Sequence, residues 1–311
     1  MTLAFVFPGQ GSQSIGMSSA LAAEFPQVMQ TYAEASQALG YDLWDIVNNG
    51  PEDKLNQTQI TQPAMLVAGV AVWRVWNARH GAQPQVMAGH SLGEYTALVC
   101  AEALAFTEAV KLVADRARFM QEAVPIGQGA MAALLGLDDA AVHSVCAQAA
   151  QGEVLEPVNF NSPGQVVIAG TAAAVARAIE QAKAAGAKRA VALPVSVPSH
   201  CKLMHPAAER MAARLKEAVL VPPRTSVIHN AHVQAENDAN AIRAALARQI
   251  EAPVRWVETV QKMADEGVTR IIECGPGRVL TGLNKRITNK APTLAVFDPA
   301  SLNSALAAVA G

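Results

Sequence analysis

The sequence predicts an α/β fold, and two observations carry that prediction. Short apolar runs alternate with longer stretches of helical spacing, the pattern of helices laid over a mostly parallel sheet. Near the middle the rhythm changes to β-α-β-β-α-β, the ferredoxin-like order. Residues 127–197 are therefore expected to form a small inserted domain. Residues 1–126 and 198–311 together would make the larger α/β domain, with a short parallel sheet and flanking helices.

Taken in order, "LAFVFP" reads as a buried strand ending at Pro8-Gly9, followed by a helix over 18–39 that stops at Gly40. An apolar helix is expected over 61–79, with Pro63 in its first turn. "QVMAG" is a short buried strand leading directly to Ser91 and a helix to about Glu102. The helix over 107–123 has Thr107 as its candidate cap. In the small domain, "GAMAALLGL" is a strand and 138–151 a helix. "VLEPVNFNSPGQVVIAG" gives two strands joined at Asn161-Ser162-Pro163-Gly164, 171–186 is an alanine-rich helix, and "KRAVALPVSV" is a last strand. The larger domain resumes with a helix over 206–218, the strand "TSVIHN", helices over 240–248 and 254–265, and the strand "TRIIECG". Gly275-Pro276-Gly277 then turns into a closing helix.

Bulk properties narrow the function. With 311 residues, 51% of them hydrophobic, the chain can bury a sizeable core. A net charge of -2 gives no basic balance that would favour nucleic acid. The four cysteines are scattered and form no C-x-x-C pair, which reads as reduced thiols in a cytoplasmic protein rather than a disulfide frame or metal site. The longest apolar window, 64–73, stops at Arg74, too short for a membrane span.

The chemistry begins at "GHSLGE", residues 89–94. A strand, then Gly-His-Ser-Leu-Gly, then a helix is the context of a nucleophile elbow. Ser91 would sit at a helix N-terminus, where free N–H groups favour developing negative charge, and the Leu92 N–H is a natural oxyanion donor. Serine needs a base to be a good nucleophile. His200 lies just beyond the strand "ALPVSV", at the carboxyl end where α/β sheets present functional groups. His229, also near a strand end, is the second candidate. His143 falls inside a helix and reads as a surface residue, His205 lies at a helix start, His232 in a polar loop, and His90 reads as structural. No carboxylate between Ser91 and His200 has a position that marks it as a third triad member.

The chain resembles the malonyl-CoA:acyl-carrier-protein transacylases of bacterial fatty acid synthesis. The resemblance rests on "FVFPGQGSQ", "GHSLGEYTAL", "RARFMQEAVP", "GAMAALLGL", "VNFNSPGQVVIAG", "LPVSVPSHCKLM" and "GPGRVLTGL", spread over nearly the full length. It implies an α/β-hydrolase-like larger domain, Ser91 as the acylated nucleophile and His200 as its base. It further implies a carbonyl oxygen near Gln249 that orients the histidine, backbone N–H groups of Gln10 and Leu92 as oxyanion donors, and Arg116 as the malonyl carboxylate ligand. Arg118, two residues on, faces another side of the helix. The expected partners are malonyl-CoA, as substrate, and an acidic acyl carrier protein, received by Lys188, Arg189, Lys285 and Arg286. No metal, other cofactor, nucleic acid or membrane is expected, and the enzyme would act as a monomer. Two rival readings share the elbow: a serine esterase or thioesterase of α/β-hydrolase type, needing a buried Asp or Glu, and an inactive scaffold that binds carrier protein.

Overall fold

The computed structural model describes residues 1–195 and 197–310. Strand β1 (Leu3–Phe7) is buried along its whole length. Leu3, Phe5 and Phe7 enter one apolar core, and Ala4 and Val6 enter another. Successive side chains of a strand point to opposite faces. The run shows no polar alternation because both faces are covered.

The single helix expected over 18–39 is two, α1 (Ser19–Glu24) and α2 (Pro26–Leu39). Phe25 between them is extended, with φ -126 and ψ 108, because the ring of Pro26 crowds the preceding residue out of the helical region. Two short helices, α3 (Leu43–Asn49) and α4 (Glu52–Leu55), add to the expected set. Helix α5 (Thr58–Ala78) begins three residues before the expected start, so Pro63 lies beyond its first turn. The Thr61 hydroxyl donates to Leu55 O at 2.6 Å instead of capping. The rings of Trp73 and Trp76 on α5 meet Phe5 edge-on at 5.2 Å and fix this helix against the sheet.

Strand β2 (Val86–Gly89) leads through the elbow into α6 (Gly93–Cys100), and α7 (Phe106–Ala123) follows. Thr107 lies inside α7; its N-cap is Ala105, which has no side-chain cap. Then come β3 (Gly129–Leu135), α8 (Asp139–Ala150), β4 (Leu155–Ser162), β5 (Gln165–Thr171), α9 (Ala172–Ala184) and β6 (Arg189–Ala192). Asp138 and Thr171 cap α8 and α9. The strand expected over 188–197 ends at Ala192. Pro194 has no N–H to give a ladder, and Ser196 lies outside the described residues.

The remainder is α10 (His205–Leu215), β7 (Ser226–Ile228), α11 (Ala239–Gln249), α12 (Trp256–Asp265), β8 (Arg270–Cys274), α13 (Val279–Ile287), β9 (Thr293–Val296) and α14 (Pro299–Val309). The last strand and helix were not expected. Five strands form a parallel sheet in the order β7-β2-β1-β8-β9. Four form an antiparallel sheet in the order β4-β5-β3-β6, with α8 and α9 packed over one face. Strand β4 is tied to the segment between α11 and α12, where Phe160 N–H donates to Val254 O at 3.0 Å and Val254 N–H to Val158 O at 2.8 Å. Among the described residues no helix is long and apolar enough to cross a membrane.

Candidate active site

Ser91 follows β2 with φ 52, and the base candidate His200 has φ 68. Non-glycine residues seldom occupy this left-handed region, and such strain gathers at functional sites. Close packing holds the elbow. A Cβ on Gly89 would lie 1.8 Å from the Gly93 carbonyl carbon, and one on Gly93 would lie 2.1 Å from Phe7 O. The two glycines let β2, α6 and β1 approach where any side chain would wedge them apart.

A second device is a buried polar clasp. Asn230, just past β7, accepts the Ser91 N–H on Oδ1 at 2.7 Å and donates Nδ2 to Gly89 O at 2.6 Å. Its own N–H donates to Glu94 Oε2 at 2.9 Å, while His229 Nδ1 lies 2.7 Å from Glu94 Oε1. Gln249 Nε2 donates to Ser91 O and to Glu94 Oε2, both at 2.9 Å. Glu94, His229, Asn230 and Gln249 are fully buried. The sequence placed Glu94 in the motif but gave it no role, and it singled out neither Asn230 nor the Gln249 side chain. His229 is therefore the partner of Glu94 and does not face the serine.

Removing the common acceptor of several buried groups is costly because those left without a partner cannot reach water. Glu94→Ala is expected to lower stability by about 3 kcal/mol in urea unfolding, since Asn230 N–H and Gln249 Nε2 would lose a buried acceptor. Glu94→Gln should cost far less. The amide oxygen can still accept from Asn230 and Gln249, and the amide N–H can face a His229 ring that has changed tautomer. Equal losses for the two variants would count against the clasp.

Ser91 opens onto a cavity of about 120 Å³ lined by Gln10, Leu92, Arg116, Asn159 and His200, among others. Ser91 Oγ lies 2.7 Å from His200 Nε2. His200 Nδ1 lies 2.7 Å from the backbone oxygen of Gln249. That oxygen can only accept, so Nδ1 carries the proton and the Nε2 lone pair faces the serine hydroxyl. Burial, and after it the Arg116 charge, hold His200 down at about 3, far below its ordinary 6.5. The Gln249 carbonyl works in the other direction.

The Leu92 and Gln10 backbone N–H groups donate to no group among the described residues. Arg116 is 1% exposed, lies over the Tyr95 ring, and donates only to neutral acceptors. Nη1 donates to Gln62 Oε1 at 2.7 Å, and Nη2 donates to Gln249 Oε1 at 3.0 Å and Ser91 Oγ at 3.2 Å. A buried guanidinium with no carboxylate on it is suited to receive one. Arg118, by contrast, reaches Asp115 at the surface.

Of the other histidines, His90 Nε2 pairs with Asn161 Oδ1 at 2.8 Å, His205 pairs with Glu251, and His232 with Glu236. His143 stacks on Phe160. Among the described residues no group of His, Cys, Asp or Glu could hold a metal ion.

Comparison with known proteins adds to this geometry. The family model described as "Acyl transferase domain" matches residues 4–296. A malonyl CoA-acyl carrier protein transacylase of Salmonella typhimurium is 56% identical over 303 residues, 97% of this chain and 98% of that protein. The Bacillus subtilis protein of the same name is 42% identical, covering 98% and 96%. A solved complex of a type II PKS acyl-carrier protein with its malonyl-transacylase superposes with a TM-score of 0.98 at 55% identity, covering 99% of this chain and 100% of the other. The Coxiella burnetii transacylase superposes equally well at 50% identity, covering 100% and 98%.

Proposed function

The chain belongs to the acyl transferase family, among its malonyl CoA-acyl carrier protein transacylases, and we propose that it carries the malonyl group on Ser91. The enzyme transfers malonyl from malonyl-CoA to the phosphopantetheine thiol of an acyl carrier protein. The observation that carries the serine route is the meeting, in one cavity, of the Ser91–His200 pair, two idle backbone N–H groups and an anion-free Arg116.

Malonyl-CoA enters with its carboxylate on Arg116 and its thioester carbonyl between the N–H groups of Gln10 and Leu92. His200 Nε2 takes the serine proton as Oγ attacks the carbonyl carbon. The oxyanion is held by donors already in position, each worth about 10²–10³ in rate. The carbon–sulfur bond breaks, and the CoA sulfur leaves with the proton from Nε2. The carrier thiol then gives its proton to Nε2 and attacks the malonyl ester; the bond between the carbonyl carbon and Oγ breaks, and Nε2 returns the proton to Ser91 Oγ. His200 keeps its orientation throughout because Nδ1–H stays on Gln249 O. Every proton has a carrier among these residues, so the cycle as proposed needs no cofactor. All groups come from one chain, in keeping with a monomer.

The esterase reading loses its main support here. No carboxylate lies on His200 among the described residues, and the buried one nearby, Glu94, serves His229, Asn230 and Gln249. The antiparallel order β4-β5-β3-β6 supports taking 127–197 as a ferredoxin-like insertion between the two parts of an α/β-hydrolase-like domain. For the carrier protein we take the cations at Lys188, Arg189, Lys285 and Arg286. Arg286 donates to Gln165 Oε1 at 3.0 Å beside the turn at Gly164, and Gly164 bonds Gly136, over which Lys188 packs. Cations from both sheets' surroundings thus flank one turn. Four buried, unpaired cysteines fit a cytoplasmic enzyme.

Peptide mapping after brief exposure to malonyl-CoA without carrier is expected to place malonyl on the Ser91 peptide. Immediate release of free malonate with no labelled peptide would favour a hydrolase. A pH test follows from His200. It acts as a base only when neutral, and its conjugate acid is held near 3. Single-turnover acylation is therefore expected to stay level from pH 7 down to about pH 5. A falling limb centred near the ordinary 6.5 would contradict the buried, Arg116-shadowed base.

A further inference from the structure

The hydrogen count on Arg116 leads beyond simple recognition of a carboxylate. Each terminal nitrogen of a guanidinium carries two hydrogens. Both on Nη2 are engaged, one by Gln249 Oε1 and one by Ser91 Oγ, whereas one of the two on Nη1 is engaged, by Gln62, and the single hydrogen on Nε has no partner among the described residues. A carboxylate held end-on takes one hydrogen from each terminal nitrogen. The Gln249 contact is locked, because the same side chain is tied through Nε2 to Ser91 O and Glu94. The exchangeable hydrogen is the one on the nucleophile.

We propose that Arg116 restrains Ser91 in the free enzyme and that an acyl group bearing a carboxylate releases it, by taking the Nη2 hydrogen from Oγ. This rests on the reading of Arg116 as the malonyl carboxylate ligand and adds a second role, selection through activation of the nucleophile. A hydrogen bond donated by a cation draws electron density from the lone pair that must attack. The same charge, close to His200, opposes the imidazolium that forms when Nε2 takes the serine proton. A bound carboxylate occupies the donor and offsets the charge at once. The bonds balance: Nη2–H moves from Oγ to the malonyl oxygen, the Ser91 proton goes to Nε2 as the ester bond forms, and the thioester's sulfur leaves with that proton. Acyl groups without an acid meet the restrained serine. The effect belongs to the rate at saturation rather than to affinity.

A divided substrate tests this. Acetyl-CoA supplies the thioester and formate the carboxylate. Single-turnover acetylation of Ser91 at saturating acetyl-CoA is measured as formate is raised, with chloride at matched ionic strength as control. Formate is expected to increase the maximal rate about tenfold, saturably, since a hydrogen bond from a charged donor is removed from the nucleophile. Arg116→Ala is expected to acetylate faster than the formate-free wild type and to gain nothing from formate. The proposal is overturned if formate gives no acceleration up to concentrations that compete with malonyl-CoA, or if Arg116→Ala acetylates more slowly than wild type. Malonylation of Ser91 is followed in parallel. If it proceeds and depends on Arg116 while formate is inert, the carboxylate reading stands and only the restraint falls.

Discussion

Ser91→Ala is expected to abolish the acyl-enzyme and to lower malonyl transfer by about 10⁴-fold or more. Oγ is the atom His200 Nε2 faces at 2.7 Å, so its loss removes the proposed nucleophile and leaves the proposed base with no proton to take. The idle N–H groups of Gln10 and Leu92 and the Arg116 site would persist, so substrate binding should survive the loss of chemistry. The fold should survive as well. The backbone clasp on position 91 uses its N–H and C=O, through Asn230 and Gln249, and alanine keeps both. Mass spectrometry of the intact protein after malonyl-CoA exposure, with the overall transfer rate, gives the result. A folded alanine variant that still accumulates malonyl would move the nucleophile elsewhere.

How much of this was legible in the sequence depended on the range of the signal. The elbow was readable because strand, turn glycines and helix are contiguous, and only glycine satisfies a Cβ clearance of 1.8 Å at position 89. His200 was picked for a place just after a strand of the α/β sheet. That strand ends at Ala192 and lies in the antiparallel sheet, so the residue that faces Ser91 was chosen on grounds the fold does not bear out. Arg116 was not separable by pattern from any other helical arginine, because its burial is produced by α5 and α11, 54 and 133 residues away at Gln62 and Gln249. It came only through resemblance. Glu94 stood in plain view within "GHSLGE", but a helical glutamate reads as solvated until Asn230, 136 residues on, closes over it. In the fold, the break at Phe25 was written in Pro26 and should have been read from it. The edge strand β9 was harder, since three partly covered residues and one buried one carry no distinctive period.

Arg116 carries the second large effect, and lysine is the sharper substitution. Lysine keeps the positive charge but offers a point donor where the guanidinium offers a fork. It cannot hold Gln62 Oε1, Gln249 Oε1 and two carboxylate oxygens together, so attraction to malonyl would remain while orientation is lost. Arg116→Lys is expected to reduce the preference for malonyl over acetyl by about tenfold, and Arg116→Ala by up to several hundredfold. The order matters. If charge alone selected malonyl, lysine would behave as wild type. If Arg116 served only to fill the core, malonyl and acetyl transfer would fall together in both variants. Competing malonyl-CoA and acetyl-CoA for one limiting pool of enzyme, and reading the ratio of acyl groups on Ser91, separates these outcomes without relying on absolute rates. A graded loss from arginine through lysine to alanine, confined to malonyl, is what a forked, buried and anion-free guanidinium beside Ser91 requires.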